Sequence, residues 1–172
     1  MREIPLTQGQ VALVDDEDYE WLSQWKWCST NNGNGNIYAI RHLSGKYPLP
    51  KQITLKMHVA IWEHHNDPVP EGYTVDHIDR NELNDQRLNL RLATRTQQMQ
   101  NQGVRKNNTS GYIGVSKLGK KYSAHIRANN VKIFLGSFTD PAEAARVRDA
   151  AAIEHYGEFA VLNFPAGSAG RW

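Results

Sequence analysis

One cysteine, Cys28, stands in 172 residues. A disulfide within the chain is therefore excluded, and so is any zinc site built on several thiolates. No run of apolar residues approaches the roughly 18 that span a bilayer. The opening Met1-Arg-Glu-Ile-Pro-Leu-Thr7 has no long apolar core, so neither a membrane segment nor a secretory leader is expected. A reduced lone thiol without a leader points to the cytoplasm. Acidic residues are missing from 104 to 139, where Arg105, Lys106, Lys117, Lys120, Lys121, Arg127 and Lys132 stand. From 11 to 20 the reverse holds: Asp15, Asp16, Glu17, Asp18 and Glu20 occur with no Lys or Arg. The net charge of +2 averages over these unlike segments. A basic patch confined to one stretch predicts a polyanionic partner better than the total does. Hydrophobic residues make up 40% of the chain, enough for one domain of ordinary size or two small ones.

Local patterns give the elements. Ile4-Pro-Leu-Thr7, a Gln8-Gly9-Gln10 turn and Val11-Ala-Leu-Val14 predict a hairpin. Asp15 or Asp16 is a natural cap for a helix running to Trp25. Lys26 to Thr30, the Asn/Gly-rich 31–36 and Ile37 to Arg41 read as strand, loop and strand. Trp21, Trp25, Trp27 and Trp62 are expected in the core of this module, because aromatic side chains supply much of a small core's burial; base stacking is the other use for them. Ile53, Leu55 and Met57 alternate as in a strand, and a helix follows through Ala60, Ile61 and Trp62. A zinc site from Cys28, His58, His64 and His65 matches no standard finger spacing. After the loop at 103–111, three strands are legible at 112–117, 121–128 and 131–138. Asp140-Pro141-Ala142-Glu143 opens a helix that Gly157 ends.

The chemistry centres on Tyr73-Thr-Val-Asp76-His77-Ile-Asp79-Arg-Asn81-Glu-Leu-Asn84, then Asn89-Leu90-Arg91 and a Gln/Asn-rich helix to about Gly103. A carboxylate beside an imidazole, faced by amides, suits a hard divalent cation and a general base. An Asp–His pair alone is weak evidence, since such pairs are usually turn or surface residues. The helix, with Gln97, Gln98, Gln100, Asn101 and Gln102, is polar all round, so its faces are expected to meet metal, phosphate or groove.

Val75-Asp76-His77-Ile78-Asp79-Arg80-Asn81, Leu83-Asn84-Asp85, Asn89-Leu90-Arg91 and Ala93-Thr94-Arg95-Thr96-Gln97-Gln98-Met99-Gln100-Asn101, with Met57-His58 upstream, resemble the HNH nucleases of phage and homing type. The resemblance covers roughly 53–103. It implies a ββα-metal site that cleaves phosphodiester bonds with one divalent cation, Mg²⁺ or Mn²⁺. In that site His77 is the general base, Asp76 a metal ligand, and Asn89 the residue that holds the loop and helps orient His77. An ordinary imidazole pKa of about 6.5 leaves much of such a base neutral at cellular pH. Gln98 stands at the third motif position, usually His or Asn. Its carboxamide oxygen can still ligate a cation, but its extra methylene displaces that oxygen by over about 1 Å, a scale that matters to active-site geometry. Asn101, one turn on, is a substitute ligand.

Gly114-Val115, Lys121-Tyr122-Ser-Ala-His125-Ile126-Arg127, Phe134-Leu135-Gly136-Ser-Phe138, Pro141-Ala-Glu143-Ala144-Ala145 and Leu162-Asn163-Phe164-Pro165 resemble the AP-two/ERF DNA-binding domain over about 111–164. The resemblance implies a three-stranded sheet laid in a major groove. Lys117, Lys121, His125, Arg127, Lys132 and Phe134 would be its DNA-facing residues. Lys132 and Phe134 replace the family's Arg and Trp, and Ile113 and Ser116 stand where Arg is common, so the plant domains' base preference does not transfer.

The expected architecture is α+β. A mixed module at 1–52 leads into a ββα-metal nuclease core at 53–103. A basic linker at 104–111, with Arg105 and Lys106 tracking the DNA backbone, joins it to a three-stranded antiparallel sheet packed on one helix at 112–172. The expected activity is nicking of double-stranded DNA by a monomer or homodimer in a bacterial host's cytoplasm, encoded by a phage or mobile element. The alternatives are a DNA-binding protein with a degenerate nuclease site, an RNA-directed module and a zinc-structured scaffold.

Overall fold

The computed structural model describes residues 1–33, 35–44, 52–104 and 107–165. The linker residues Arg105 and Lys106 lie outside that set. The architecture is α+β, and the chain divides into two compact units, Met1–Arg95 and Thr96–Trp172.

In the first unit, β1 (Arg2–Pro5) and β2 (Val11–Val14) pair antiparallel, with Ile4 opposite Ala12. Gly9, at φ +88°, takes the left-handed turn between them, which costs glycine little. α1 (Asp16–Leu22) stops short of Trp25. The indole N–H of Trp27 donates to the Leu22 carbonyl at 2.9 Å, and the Trp25 amide donates to it at 3.3 Å, so that carbonyl is taken before another turn can form. Asp15 precedes the helix but makes no capping bond with its side chain. Its carboxylate reaches the Arg87 amide instead, at 2.8 Å.

β3 (Cys28–Asn31), β4 (Ile37–Ser44) and β5 (Gln52–Lys56) form an antiparallel sheet in that order. Asn31 Oδ1 accepts the Gly33 and Gly35 amides and closes the loop between the first two strands. α2 (Met57–His65) follows β5 directly and buries Met57, His58 and Ile61. β6 (Tyr73–His77) and β7 (Leu90–Thr94) make a second antiparallel ribbon, with His77 opposite Leu90 and Asp76 opposite Arg91. One core joins these pieces through Ile4, Val14, Leu22, Trp27, Met57, Ile61, Val75 and Leu90. Trp21, Trp25, Trp27 and Trp62 do not behave alike. Trp27 is 1% exposed and Trp25 is 40% exposed. Trp21 and Trp62 pack partly buried against the core. Trp25 lies outside because the Arg41 guanidinium covers its ring, 4.2 Å from the centroid.

α3 (Arg95–Gln100) starts on the last residue of the first unit, continues into the second, and is shorter than the polar run that suggested it. β8 (Val115–Leu118), β9 (Lys121–Ala128) and β10 (Val131–Phe138) form an antiparallel sheet in the order β10-β9-β8. Asn129 and Asn130, at φ +49° and +62°, make the tight turn between β9 and β10 in the conformation hairpins favour. β8 begins three residues later than expected. Asn108 Oδ1 accepts the Ser110 and Gly111 amides, and Gly114 at φ +71° brings the backbone to where a Cβ would lie 2.6 Å from the His125 carbonyl oxygen. α4 (Pro141–Tyr156) starts where Asp140 Oδ1 accepts the Ala142 amide at 3.0 Å. Its Ala144 and Ala145 pack with Val115 and Ala124 of the sheet. Asp149, buried on α4, accepts the Asn163 side-chain amide and the Phe164 backbone amide, both at 2.9 Å, and so anchors the closing Asn-Phe segment.

Candidate active site

His77 is the last residue of β6. Alternation along the strand buries Val75 and His77 on one face, and Asp76 projects from the other. The two members of the Asp–His pair therefore meet different neighbours. His77 is 4% exposed, and its Nε2 lies 2.9 Å from Oδ1 of Asp85, a fully buried carboxylate. Asp76 Oδ2 lies 3.3 Å from Nε of its cross-strand partner Arg91.

Asp85 is placed by the N-terminal ribbon. The Leu13 amide donates to the Leu83 carbonyl at 2.7 Å, and the Asp85 amide donates to the Leu13 carbonyl at 2.8 Å, so β2 grips the loop on both sides of Asn84. Asp15 then takes the Arg87 amide, and Arg87 also reaches Glu17 at 2.7 Å. Burial pushes the Asp85 carboxyl up from its ordinary value, and the His77 hydrogen bond opposes that. The acidic cluster at 15–20, read from sequence as helix-start chemistry, is in part the clamp on this loop. Asp85 lies within the matching Leu83-Asn84-Asp85, and the resemblance assigns it no role. Its only sequence signal is a lone acid eight positions after His77, and nothing local says it is buried.

Asn89 closes the other side of the loop. Its Nδ2 donates to Asp79 Oδ1 at 2.9 Å and to the Asn84 carbonyl at 2.7 Å, and its Oδ1 accepts the Asp79 amide at 2.9 Å. Asp79 also accepts the Asn81 amide and the Asn84 side chain. Burial raises the Asp79 carboxyl, but these hydrogen bonds outweigh it and hold the group below the ordinary carboxylate value. A depressed folded-state pKa stabilises the protein fully above the unfolded value, about 3.9, and that stability is lost as pH falls through the folded value. Asp79→Asn is therefore expected to flatten the acid limb of a stability-versus-pH curve below about pH 4, read by circular dichroism. An unchanged acid limb would contradict it.

His58, in the first turn of α2, is the third buried polar group here. Its Nδ1 lies 3.9 Å from Asp85 Oδ1, and its ring stands 4.8 Å from that of His77. Burial, with His77 and Lys56 adding to it, holds its imidazole well below the ordinary value. Cys28, His64 and His65 form no such cluster among the described residues. His65 Nε2 meets buried Asp18 at 2.5 Å, and His64 stacks on Trp21. Gln98, half-buried, stands on α3 in the second unit.

In the second unit Lys117, Lys121, Arg127 and Lys132 are exposed. Phe134 is 61% exposed, and its ring lies 5.4 Å from that of His125, its partner across β9 and β10. Burial, then the Lys132 charge, lower the pKa of His125.

A β-ribbon that ends in a buried imidazole bonded to a carboxylate, beside an asparagine-stapled loop, is where comparison with known proteins falls. The sequence profile described as HNH endonuclease matches residues 55–100. Over 157 residues the chain is 31% identical to an uncharacterized HNH endonuclease of Acanthamoeba polyphaga mimivirus, covering 91% of this chain and 76% of that protein. Over 61 residues it is 48% identical to Protein 3.8 of Escherichia phage T7, covering 36% of this chain and 50% of that protein. The chain belongs to the HNH endonuclease family.

Proposed function

We propose that the protein is a metal-dependent DNA endonuclease that nicks one strand of a duplex. The observation that carries this reading is the His77–Asp85 bond of 2.9 Å inside the matched segment. With Nε2–H donating to the Asp85 carboxylate, Nδ1 is the nitrogen with the lone pair. His77 takes a proton from water at that atom. The resulting hydroxide oxygen bonds to phosphorus, the bond from phosphorus to the 3′ oxygen breaks, and that oxygen takes a proton from a second water, leaving 5′-phosphate and 3′-hydroxyl ends. Asn89 holds the loop that carries this geometry.

Asp76, next to His77 in sequence but on the other face of β6, supplies a hard oxygen donor that fits a divalent cation of the Mg²⁺ or Mn²⁺ kind. Asp76 is the residue of the first unit that we assign to hold it. Such an ion supplies charge stabilisation at the scissile phosphate and leaving oxygen. Arg91, now paired with Asp76, is well placed in charge to meet a phosphate when that pair parts.

In this reading the organisation is a mixed module at 1–52, the ββα-metal nuclease core at 53–103, a basic linker at 104–111 and an AP-two/ERF-type DNA grip at 112–172. Lys117, Lys121, Arg127 and Lys132 meet phosphates, while Phe134 and His125 meet the groove. Arg105 and Lys106 of the linker track the backbone. The partner is double-stranded DNA, bound by a monomer or homodimer, and the setting is a bacterial cytoplasm reached from a phage or mobile element. Lys132→Ala is expected to lower the slope of log affinity against log salt by about 0.9, measured by fluorescence anisotropy on an unspecific duplex. An unchanged slope would remove Lys132 from the interface. The activity itself is tested with supercoiled DNA of varied sequence in Mg²⁺ or Mn²⁺. Conversion to open circles supports it, and intact supercoils throughout overturn it.

Gln98 favours a second reading, a DNA-binding protein whose nuclease site has degenerated. If the native chain leaves DNA intact and Gln98→Asn cuts it, that reading holds. If the native chain cuts and Gln98→Asn is no faster, it falls.

A further inference from the structure

His58, His77 and Asp85 are the group of His, Cys, Asp and Glu side chains, among the described residues, whose donor atoms come close enough to share an ion. All lie within 4.8 Å of one another. They arrive from three elements: the first turn of α2, the end of β6, and the loop gripped by β2. Their exposures are 3%, 4% and 0%. Two of their atoms, His58 Nδ1 and Asp85 Oδ2, are buried without a hydrogen-bond partner. The 3.9 Å between His58 Nδ1 and Asp85 Oδ1 is too long for a hydrogen bond. Buried polar groups are almost always partnered, so two orphans in one cluster need a physical reason. The His77–Asp85 pair alone leaves both unexplained.

We infer that His58, His77 and Asp85 form a site for a borderline divalent transition ion of the Zn²⁺ class, held through His58 Nδ1, His77 Nε2 and both oxygens of Asp85. Both orphaned atoms become ligands. Two imidazole nitrogens and one carboxylate are a donor set for Zn²⁺ rather than for Mg²⁺ or Ca²⁺, which favour oxygen throughout. Bond lengths of about 2.0–2.2 Å require the donors to close by about 1 Å, within the reach of side-chain rotation. The site is separate from the cation assigned to Asp76, because neighbouring strand residues project to opposite faces.

One consequence rests on His77 being the base. An ion on Nε2 displaces the ring proton there, and the neutral coordinated ring carries its proton on Nδ1. That nitrogen then accepts nothing from water, so occupancy by Zn²⁺ switches cleavage off.

The test uses the full chain with Zn²⁺ alone and no DNA. Competition with a chromophoric chelator should give one ion per chain. In ¹⁵N-histidine spectra, His58 Nδ1 and His77 Nε2 should move to metal-bound positions. His58→Gln should weaken binding at least about tenfold, with near-UV circular dichroism confirming its fold, and Asp76→Ala should leave binding unchanged. The site is overturned if the native chain takes up no stoichiometric Zn²⁺, if neither ring nitrogen moves, or if Asp76→Ala rather than a folded His58→Gln abolishes binding. If His58→Gln does not fold, the native-chain spectra decide. Cleavage in Mg²⁺ with added Zn²⁺ tests the switch, and unaltered rates at full Zn²⁺ occupancy overturn it. An inactive nuclease would overturn the function proposed above and leave the binding result standing.

Discussion

His77→Ala is expected to slow nicking of supercoiled DNA by about 10²–10⁴-fold, the usual contribution of a positioned general base. In the proposed reading, affinity for uncut duplex, measured in chelator, should not change, since the cations assigned to DNA make no use of the ring. The substitution has a second effect. It strips Asp85 Oδ1 of its 2.9 Å partner, and a buried acceptor left unsatisfied costs about 1–3 kcal/mol. A loss of cleavage in His77→Ala then has two causes to separate, the missing base and a loosened loop. His77→Gln separates the two causes, because its side-chain amide can donate to Asp85 while offering no imidazole to take a proton. The expected result is a folded His77→Gln as inactive as His77→Ala. Cleavage at native rate in His77→Gln would remove His77 from the chemistry.

The largest expected effect on stability lies far from the site in sequence. Trp27→Ala should cost about 3–5 kcal/mol, the usual range for truncating a fully buried aromatic side chain. Trp27 is 1% exposed, packs in the core that Val75 and Leu90 share, and gives its indole N–H to the Leu22 carbonyl. Trp25→Ala, at 40% exposure, removes a ring that covers Arg41 and should cost under about 1 kcal/mol. Urea unfolding followed by tryptophan fluorescence and far-UV circular dichroism measures both. Equal costs would mean that the core does not run through Trp27.

These two residues also mark the limit of the sequence reading. Nothing in Trp25-Lys26-Trp27 distinguishes the two rings. Their fates are set by Arg41, which is 16 positions downstream of Trp25, and by the end of α1. Boundaries missed for the same reason. α1 ends early because a side chain from Trp27 takes a helix carbonyl, and β8 starts late because Asn108 folds the preceding residues into a turn. Where local chemistry decides, the sequence was legible: Asp140-Pro141 opens α4, Asn129-Asn130 turns β9 into β10, and Gly9 turns β1 into β2.

The same division runs through the candidate site. The sequence by itself determined the residue kinds: an imidazole after a β-prone run, an Asn-rich loop, a polar helical run and a basic stretch without acids. Those depend on spacing and charge, which are local. Only the tertiary structure decided what His77 touches. Asp85 faces it because Leu13, seventy-two residues earlier, holds both its amide and the Leu83 carbonyl, and because Asp15 was drawn from its own helix to the Arg87 amide. His58 completes the cluster from the start of another helix. Each of these contacts joins segments whose pairing no local pattern encodes, because it is the shared burial of Val14, Trp27, Met57 and Val75 that brings them together.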